Sequence, residues 1–349
     1  MTKVGIIGCG SISQFHHVGY AKAGARVAHV CDIRMDAAQR VADMYGAKAT
    51  DDYHTLLADP EIDLVSVCTV ASAHKEICLA ALAAGKAVVC EKTLTDVPED
   101  SAAIARAADR AGIFCATAFM KNFFPAVIKA KELLRDMGPV TSIHARTWQP
   151  FSAFFDEPLP SWLLEKPTPM LRNYGGGVLV CGGSHILNLI CGFAGRPTKV
   201  CGNLSYQPGV DADHQANAML WLKDGGIANL ECFWHPFTRV GYERNGWDER
   251  MEINTAKGRL DLFTPLWDHP ENNGALVIHT DARSGAVTEY RYPAVNAFHA
   301  EMAEMIRRFE ADEKPMPSAW DGYVVDELIA QITKSSQTGK IIEMKYQDQ

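Results

Sequence analysis

Hydrophobic positions in the first 120 residues fall into short continuous runs, separated by segments with helical spacing. The runs are typical of buried strands and cover residues 3–7, 26–31, 64–69, 87–90 and 113–118. The segments between them predict helices over residues 13–23, 36–45, 74–84 and 98–111. Short apolar strands that alternate with helices of about ten residues predict a parallel, doubly wound sheet.

The pattern changes after residue 118. A helix over 125–136 and a strand over 140–148 are predicted first, followed by an irregular stretch over 149–174 and a helix over 183–195. Longer, alternating strands are then predicted over 199–206, 216–222, 227–234, 250–255, 259–263, 276–279 and 287–292. Two helices, 297–310 and 320–336, close the chain. We therefore predict an α/β Rossmann domain over 1–120 and an α+β domain with a large, mostly antiparallel open sheet over 121–349.

Composition narrows the possible functions. The formal net charge is −8 and there is no Lys/Arg-rich run, which argues against a nucleic-acid partner. Polar and glycine residues interrupt the longest apolar stretches and the N-terminus runs straight into a strand, so we expect no membrane span and no signal peptide. The ten cysteines are scattered without a CxxC pair, which favours free thiols in a cytoplasmic protein and no metal site.

A glycine motif links the first predicted strand to the first helix. The segment Gly8-Cys-Gly10-Ser-Ile-Ser13 has the spacing of a dinucleotide turn, in which Ser11 and Ile12 open the helix that receives the pyrophosphate. Asp32 ends the next strand, 22 residues after Gly10, where an acid binds the ribose hydroxyls. The alternative is a glycine turn without a ligand. Because Asp32 would repel a 2′-phosphate, the motif favours NAD over NADP, a preference that nearby Arg34 softens.

Further motifs follow along almost the whole chain. They are the run from Asp63 to Thr69 followed by His74, the segment Ala84-Gly-Lys-Ala-Val-Val-Cys-Glu91-Lys92-Thr93, Asn122-Phe-Phe-Pro125, the glycine-rich stretch from Gly175 to His185, Ala300-Glu301 and a Ser335-Ser-x-x-Gly339 ending. In combination they resemble the glucose–fructose oxidoreductase/inositol dehydrogenase/rhizopine-catabolism (Gfo/Idh/MocA) family. The resemblance implies an NAD-dependent dehydrogenase or reductase that transfers hydride between the nicotinamide and a hydroxyl-bearing carbon of a sugar, inositol or sugar derivative.

The resemblance also assigns roles to residues. Lys92 is expected to hydrogen-bond the reacting oxygen and help move the proton, and His185 is the second acid/base candidate. Thr69, His74 and Glu91 are assigned to the cofactor. The alternatives without a catalytic role are an exposed loop lysine for Lys92 and a helix-capping or packing histidine for His185.

This sequence departs from the family pattern at Thr93, which replaces the usual proline, and at two positions around His185. Cys181 stands where the family commonly has Asp before the histidine, and Asn188 stands where it commonly has Asp after it. A thiol is a weak hydrogen-bonding group and substitutes poorly for a carboxylate. Three explanations are open. The proton relay runs through Lys92 and His185 alone, the substrate carries different substituents, or the enzyme activity is lost.

Further substrate candidates flank these motifs. They are Lys121, Asn122, Trp148, Trp162, Arg172, Asn173, Cys181 and His235. Each is individually more typical of packing or surface positions, and a buried Arg172 would favour an anionic substrate.

Two other functions compete with a dehydrogenase. One is a non-catalytic NAD- or sugar-sensing regulatory protein on the same fold, and the other is a glycosidase that recycles NAD. In the antiparallel sheet, Leu220, Leu222, Leu230 and Phe233 must be covered by helices or by another subunit. The resemblance implies a homodimer or homotetramer formed through this sheet.

Overall fold

A computed structural model describes residues 1–266 and 274–348 of the chain. The chain forms two compact units. The first comprises Met1–Met120, Phe298–Asp326 and Gln347–Gln349, and the second comprises Lys121–Ala297 and Glu327–Tyr346.

The first unit contains a six-stranded parallel sheet with the order β3-β2-β1-β4-β5-β6. Its strands are β1 Lys3–Ile7, β2 Arg26–Cys31, β3 Lys48–Thr50, β4 Leu64–Val67, β5 Ala87–Glu91 and β6 Cys115–Ala118. Its first five helices are α1 Ser13–Lys22, α2 Met35–Tyr45, α3 Tyr53–Leu57, α4 Ala71–Ala83 and α5 Pro98–Ala111. The strand order reverses between β1 and β4, and in such sheets ligands bind outside the carboxyl ends of the strands at this point. The predicted Rossmann architecture is confirmed.

Local sequence explains most of these elements. Strands β4 and β5 are buried at every position, as expected for a parallel sheet covered on both faces. Helix α5 begins with Pro98 in its first turn and ends at Gly112, whose φ of 64° is left-handed. Strand β3 and helix α3 were not predicted, because segments of three and five residues are too short to show a periodic pattern.

The C-terminal helices are divided between the two units. Helix α9 spans Ala297–Glu310 and belongs almost entirely to the first unit, as do residues 319–326 of α10, Ala319–Thr338. The ring of Phe298 stacks on Phe15 with centroids 4.3 Å apart. A Cβ at Gly19 would lie only 2.9 Å from Met302, so α1 and α9 are packed closely. The first compact unit thus combines residues 1–120 with residues 298–326, whereas the sequence analysis places all residues after 120 in the second domain.

The second unit contains a nine-stranded sheet with the order β14-β13-β12-β11-β7-β10-β9-β8-β15. Its strands are β7 Val140–Pro150, β8 Lys199–Tyr206, β9 Asp213–Trp221, β10 Ile227–His235, β11 Asp248–Thr255, β12 Gly258–Thr264, β13 Leu276–Asp281, β14 Val287–Arg291 and β15 Ile342–Glu343. Its remaining helices are α6 Pro125–Met137, α7 Pro169–Tyr174 and α8 Ser184–Ala194. Within the described residues β7 and β10 form the only parallel pair, so the prediction of a mostly antiparallel sheet is confirmed.

Helices of the same unit cover one face of this sheet. Helix α8 packs on β7 and β10, and α6 packs on β12 and β13. Leu220, Leu222 and Leu230 are each at most 4% exposed, so these helices already bury the apolar face. Phe233 lies on the opposite face beside Trp148, which corrects its predicted place in the same apolar row.

The helical stretch Pro169–Ala194 is long and apolar enough to cross a membrane by length and composition. It has 26 residues, and the mean hydropathy of its most apolar 18-residue window is 1.6. This finding is contrary to the expectation that no stretch of the chain resembles a membrane span. However, 72% of its most apolar window is buried inside the fold. Such burial is equally typical of the core helix of a soluble protein, so the stretch is weak evidence for a membrane.

Candidate functional site

The turn between β1 and α1 has two glycines with different surroundings. Gly8 has a φ of +92°, and a Cβ there would lie 2.6 Å from the carbonyl oxygen of Cys68. A Cβ at Gly10 would meet no atom within 4 Å. Gly8 is therefore required by the fold, whereas Gly10 keeps open the space that a dinucleotide would approach.

Asp32 lies beside this turn. Its Oδ2 accepts a hydrogen bond from the backbone N–H of Cys9 at 2.8 Å, and its Oδ1 accepts one from the N–H of Arg34 at 2.9 Å. The Arg34 guanidinium is 3.8 Å from the carboxylate, and its side chain is 65% exposed. The carboxylate is thus held at the carboxyl end of β2, where it can accept hydrogen bonds from the ribose hydroxyls.

The N-terminus of α1 completes a site that fits a dinucleotide. The third position of the motif is Ser13, whose hydroxyl donates to the carbonyl oxygen of Gly10 at 2.6 Å and is thereby satisfied inside the turn. In the described structure no side chain caps the helix at Ile12, which leaves backbone N–H groups for an anionic ligand. Together with Ser11, which is exposed, these residues would hold the pyrophosphate.

His74 joins two loops at the carboxyl edge of the sheet. Its Nε2 is 3.1 Å from the Thr69 carbonyl oxygen, and its Nδ1 is 3.0 Å from that of Thr93 and 3.1 Å from that of Leu94. The side chain is 1% exposed, so His74 supports the loops instead of contacting a ligand directly. The Thr69 hydroxyl is buried and has no hydrogen-bond partner among the described residues, which makes it available to a cofactor.

Glu91 is the last residue of β5, and Lys92 follows it in one of these loops. The Glu91 carboxylate is buried, with Oε1 2.8 Å from His16 Nε2 and Oε2 accepting the backbone N–H of Lys92 at 2.9 Å. The Glu91 side chain is buried and both of its carboxylate oxygens are bonded inside the protein, so Glu91 fixes the loop, whereas a cofactor contact was predicted. Lys92 is half-buried at the carboxyl edge of the sheet, and its peptide bond to Thr93 is cis.

The glycine-rich segment of the second unit is anchored by a residue that the sequence did not single out. Asp213 accepts hydrogen bonds from the N–H groups of Gly177 at 3.1 Å and Leu179 at 3.0 Å. Burial raises the pKa of Asp213 to about 6, against the lowering effect of its backbone donors. A Cβ at Gly177 would lie 2.0 Å from the Asp213 backbone oxygen, so only glycine fits there.

A π-helical turn, Leu179–Gly183, leads from this anchor directly into α8. Cys181 lies within the turn and His185 is the second residue of α8, and both are half-buried. Single π-helical turns inside α-helices are frequently found at functional sites. The glycines are required here because a Cβ at Gly182 would lie 2.7 Å from Gln149 and one at Gly183 2.9 Å from Cys232.

Lys121, Asn122 and Asn188 are engaged in buried contacts of the second unit. Lys121 is 1% exposed and forms an ion pair with Glu249, which also accepts hydroxyl hydrogen bonds from Thr147 and Thr264. Asn122 donates to Asn188 Oδ1 at 2.7 Å and accepts from Lys131 at 2.7 Å. Asn188 thus links α8 to the segment before α6, a packing role for which an amide suffices.

The remaining substrate candidates differ in their surroundings. Arg172 is exposed and paired with Glu165 at 2.8 Å, and Asn173 is exposed on the short helix α7. Arg172 therefore lacks the burial on which the argument for an anionic substrate depended. Trp162 packs against Phe151, and Trp148 contacts His235 with ring centroids 5.8 Å apart. In the described part of the chain, no three His, Cys, Asp or Glu side chains are grouped to hold a metal ion.

The chain resembles characterised dehydrogenases over nearly its whole length. It is 27% identical over 352 residues to inositol 2-dehydrogenase/D-chiro-inositol 3-dehydrogenase of Lactiplantibacillus plantarum, covering 93% of this chain and 88% of the relative. It is 25% identical to D-glucoside 3-dehydrogenase of Escherichia coli, covering 98% and 97%. Its fold matches a solved structure of levoglucosan dehydrogenase in complex with NADH, with a TM-score of 0.83, 22% identity and 99% of each chain covered.

Two family models match consecutive parts of the chain. Residues 2–119 match the oxidoreductase family model with an NAD-binding Rossmann fold, so the first unit is an NAD-binding Rossmann domain. Residues 127–261 match the GFO/IDH/MocA C-terminal domain. The resemblance that the motifs indicated is confirmed, and the chain belongs to the Gfo/Idh/MocA oxidoreductase family.

Proposed function

We propose that this protein is an NAD-dependent dehydrogenase or reductase that acts on a hydroxyl-bearing carbon of a sugar or polyol. The observation that carries this proposal is the arrangement of one sheet edge. The open space at Gly10, the held carboxylate of Asp32 and the loop of Lys92 all belong to the carboxyl ends of strands in the same parallel sheet. Relatives named as inositol and glucoside dehydrogenases support the substrate class.

NAD, when bound, accepts the hydride that leaves the hydroxyl-bearing carbon. The chain has to bind the substrate hydroxyl and take up its proton as the carbonyl forms. Lys92 is suited to this task, because an amine can hydrogen-bond the reacting oxygen and stabilise the charge that develops on it. In the reverse direction the same group polarises the carbonyl and returns the proton. His185, at the start of α8, is the second candidate for proton transfer and is tested separately.

The preference for NAD over NADP rests on Asp32. A carboxylate at the end of β2 accepts the ribose hydroxyls of NAD and repels the 2′-phosphate of NADP. The exposed guanidinium of Arg34 is the nearby group that could soften this repulsion.

A substrate screen tests the proposal. Purified protein with NAD is incubated with cyclitols, aldoses, uronates and aminosugars, and reduced nicotinamide is followed by its absorbance. We expect turnover with at least one polyol. NAD binding without turnover in either direction across the panel would overturn the proposal and favour a sensor.

Single substitutions then test the residues. Lys92→Ala should lower kcat by about 10³-fold or more while NAD affinity stays nearly unchanged, since the amine acts on the reacting oxygen. His185→Ala should lower kcat by about 10²-fold. The matched control is Lys75→Ala, which removes a lysine that pairs with Asp100 on the surface and should not alter kcat. Turnover by Lys92→Ala at the wild-type rate would refute the assignment of Lys92.

We further propose that the chain forms a homo-oligomer through the sheet face opposite α6 and α8. This face carries an open groove of about 530 Å³ lined by charged residues of both signs, including Arg146, Arg250, Glu231 and Glu252. A surface with mixed charges can pair with a second copy of itself around a two-fold axis. Met219, which is 40% exposed, adds apolar surface to the same face.

Light scattering coupled to size-exclusion chromatography at micromolar concentration tests this assembly. The wild-type protein should elute as a dimer or tetramer, and Arg146→Glu combined with Arg250→Glu should dissociate it. A monomeric wild-type protein would refute the proposal.

A cytoplasmic location is also proposed. Six of the ten cysteines, all in the first unit, are buried free thiols. Free thiols persist in reducing compartments. Fractionation of cells that produce the tagged protein should recover it with cytoplasmic markers, and recovery with an exported fraction would contradict the proposal.

A further inference from the structure

A fully buried group of polar side chains lies behind the loop that carries Lys92. His16 on α1, Ser66 on β4 and Glu301 on α9 are each 0% exposed. They come from three elements far apart in sequence, and Glu91 at the end of β5 meets them. Burying several polar and ionisable groups together is costly unless each is paired, so the arrangement calls for a functional explanation.

Hydrogen bonds connect this group to Lys92 in two steps. His16 Nε2 lies 2.8 Å from Glu91 Oε1, and the other oxygen of the same carboxylate accepts the backbone N–H of Lys92 at 2.9 Å. On the far side of the ring, His16 Nδ1 lies 2.8 Å from the Ser66 hydroxyl. Tyr20 donates a hydrogen bond to that same hydroxyl at 3.3 Å. The imidazole is therefore fixed at both nitrogens.

The groups that face His16 decide its charge. They are Tyr20 and His17 on its own helix, Cys68 on the segment after β4, Glu91 at the end of β5 and Glu301 on α9. Burial opposes the charged ring, but Cys68 and the Glu91 carboxylate together raise the pKa of His16 well above its usual range. Nε2 faces a carboxylate and must donate to it, which agrees with an imidazolium.

Glu301 leaves this ion pair undisturbed. Burial, followed by the negative charge of Glu91, raises the pKa of Glu301 well above its usual range, so its carboxyl group is neutral. A neutral Glu301 adds no second negative charge beside Glu91. The ion pair of the buried group is thus the one between the His16 imidazole and the Glu91 carboxylate.

We propose that His16 is a positioning residue for the reaction. It holds Glu91 as a carboxylate against the Lys92 N–H and thereby fixes the loop from which Lys92 meets the substrate hydroxyl. This inference rests on the proposed function, in which Lys92 touches the reacting oxygen. Without the imidazolium, Glu91 would take up a proton or turn away, and the loop would lose its charged acceptor.

The experiment compares His16→Asn with His17→Asn. His17 is the next residue on the same helix, is 5% exposed and contacts Tyr45 at 2.8 Å, so its replacement also removes a buried histidine hydrogen bond. Lysines are reductively methylated with ¹³C, and the Lys92 resonance is assigned with Lys92→Arg. We expect His16→Asn to shift and broaden this resonance in the cofactor-free protein, and His17→Asn to leave it in place.

Kinetics provide the second readout. His16→Asn should lower kcat by about 10- to 100-fold, the effect of a small misplacement of a catalytic group, while KM for NAD changes by less than about twofold. His17→Asn should retain the wild-type kcat. In Glu91→Gln, the ring of His16 should become titratable by NMR between about pH 6 and 8, whereas in the wild-type protein it stays protonated.

Two results would overturn the inference. One is a Lys92 resonance that responds equally to both histidine substitutions, and the other is a His16 ring that is neutral at pH 7 in the wild-type protein. If the wild-type protein turns over no polyol, the proposed function fails, while the two NMR measurements still decide whether His16 controls the Lys92 loop.

Discussion

The carboxylate of Asp32 accepts a hydrogen bond from the backbone N–H of Cys9, with 2.8 Å between Oδ2 and the nitrogen. The end of β2 is therefore fastened to the turn that follows β1. Because Cys9 lies between Gly8 and Gly10, the residue that selects the ribose also shapes the turn that receives the pyrophosphate.

Asp32→Ser should weaken NAD binding by about 10- to 100-fold, as expected when charge-assisted hydrogen bonds to the ribose are lost. It should also narrow the preference for NAD over NADP, because the negative charge that repels the 2′-phosphate is removed. The measurement is calorimetric titration with both cofactors. Asp36→Ser serves as the control, since Asp36 is 76% exposed and contacts Arg40. Unchanged NAD affinity in Asp32→Ser would contradict this prediction.

The two glycines of the turn should respond differently to the same substitution. Gly8→Ala should destabilise the fold by about 2 kcal/mol or more, because its φ is positive and the new Cβ would meet Cys68. Gly10→Ala should fold with nearly wild-type stability and bind NADH at least about tenfold more weakly, since the methyl group occupies open space at the cofactor turn. Thermal unfolding and NADH fluorescence distinguish the two effects. Equal loss of stability in both variants would refute this distinction.

The buried ion pair of Lys121 and Glu249 should be a strong determinant of stability in the second unit. Lys121→Met alone should lower the free energy of unfolding by about 3–5 kcal/mol, because it leaves the Glu249 carboxylate buried without its cation. Lys121→Met combined with Glu249→Gln should recover part of this loss, since an amide can still bond Thr147 and Thr264. Denaturant unfolding of both variants provides the test. A double variant less stable than Lys121→Met would contradict the prediction.

Asp213 should make stability depend on pH. Its pKa is raised from 3.8 to about 6 in the folded protein, so its contribution is fully present below about pH 4 and is lost as the pH rises to about 6. The loss is at most about 3 kcal/mol, from two pKa units of difference. Asp326 titrates in an overlapping range because burial raises its pKa to about 7. The measurement is therefore the difference in unfolding free energy between the wild-type protein and Asp213→Asn at pH 4, 5, 6 and 7. A difference that does not change with pH would refute the assignment.

The sequence predicted the cofactor turn because its determinants are local. Glycine spacing, an adjoining strand and helix, and an acid at the end of the next strand all lie within residues 3–32, and the structure bonds the Cys9 N–H of the turn to Asp32 as the motif requires. The parallel, doubly wound sheet and the antiparallel sheet followed from hydrophobic periodicity for the same reason.

The buried partners of Lys92 could not be predicted in this way. His16 and Glu301 are 285 positions apart in the sequence, and only the packing of α9 on α1 places both near Glu91. The sequence did contain a partial signal that Glu301 is buried. This residue falls among the apolar positions Phe298, Met302 and Met305 of an amphipathic helix. The burial of Arg172 could not be judged from its neighbouring motif either. The short helix α7 places its side chain on the surface.

The bridge formed by His74 has a consequence for motion. One imidazole binds the carbonyl oxygen of Thr69 in the loop after β4 and those of Thr93 and Leu94 in the loop after β5. Neither loop can open without breaking contacts that the other shares, so the two should exchange their amide hydrogens with solvent as one cooperative unit. Cofactor entry and release at this edge would then be timed by a single opening event instead of two independent ones.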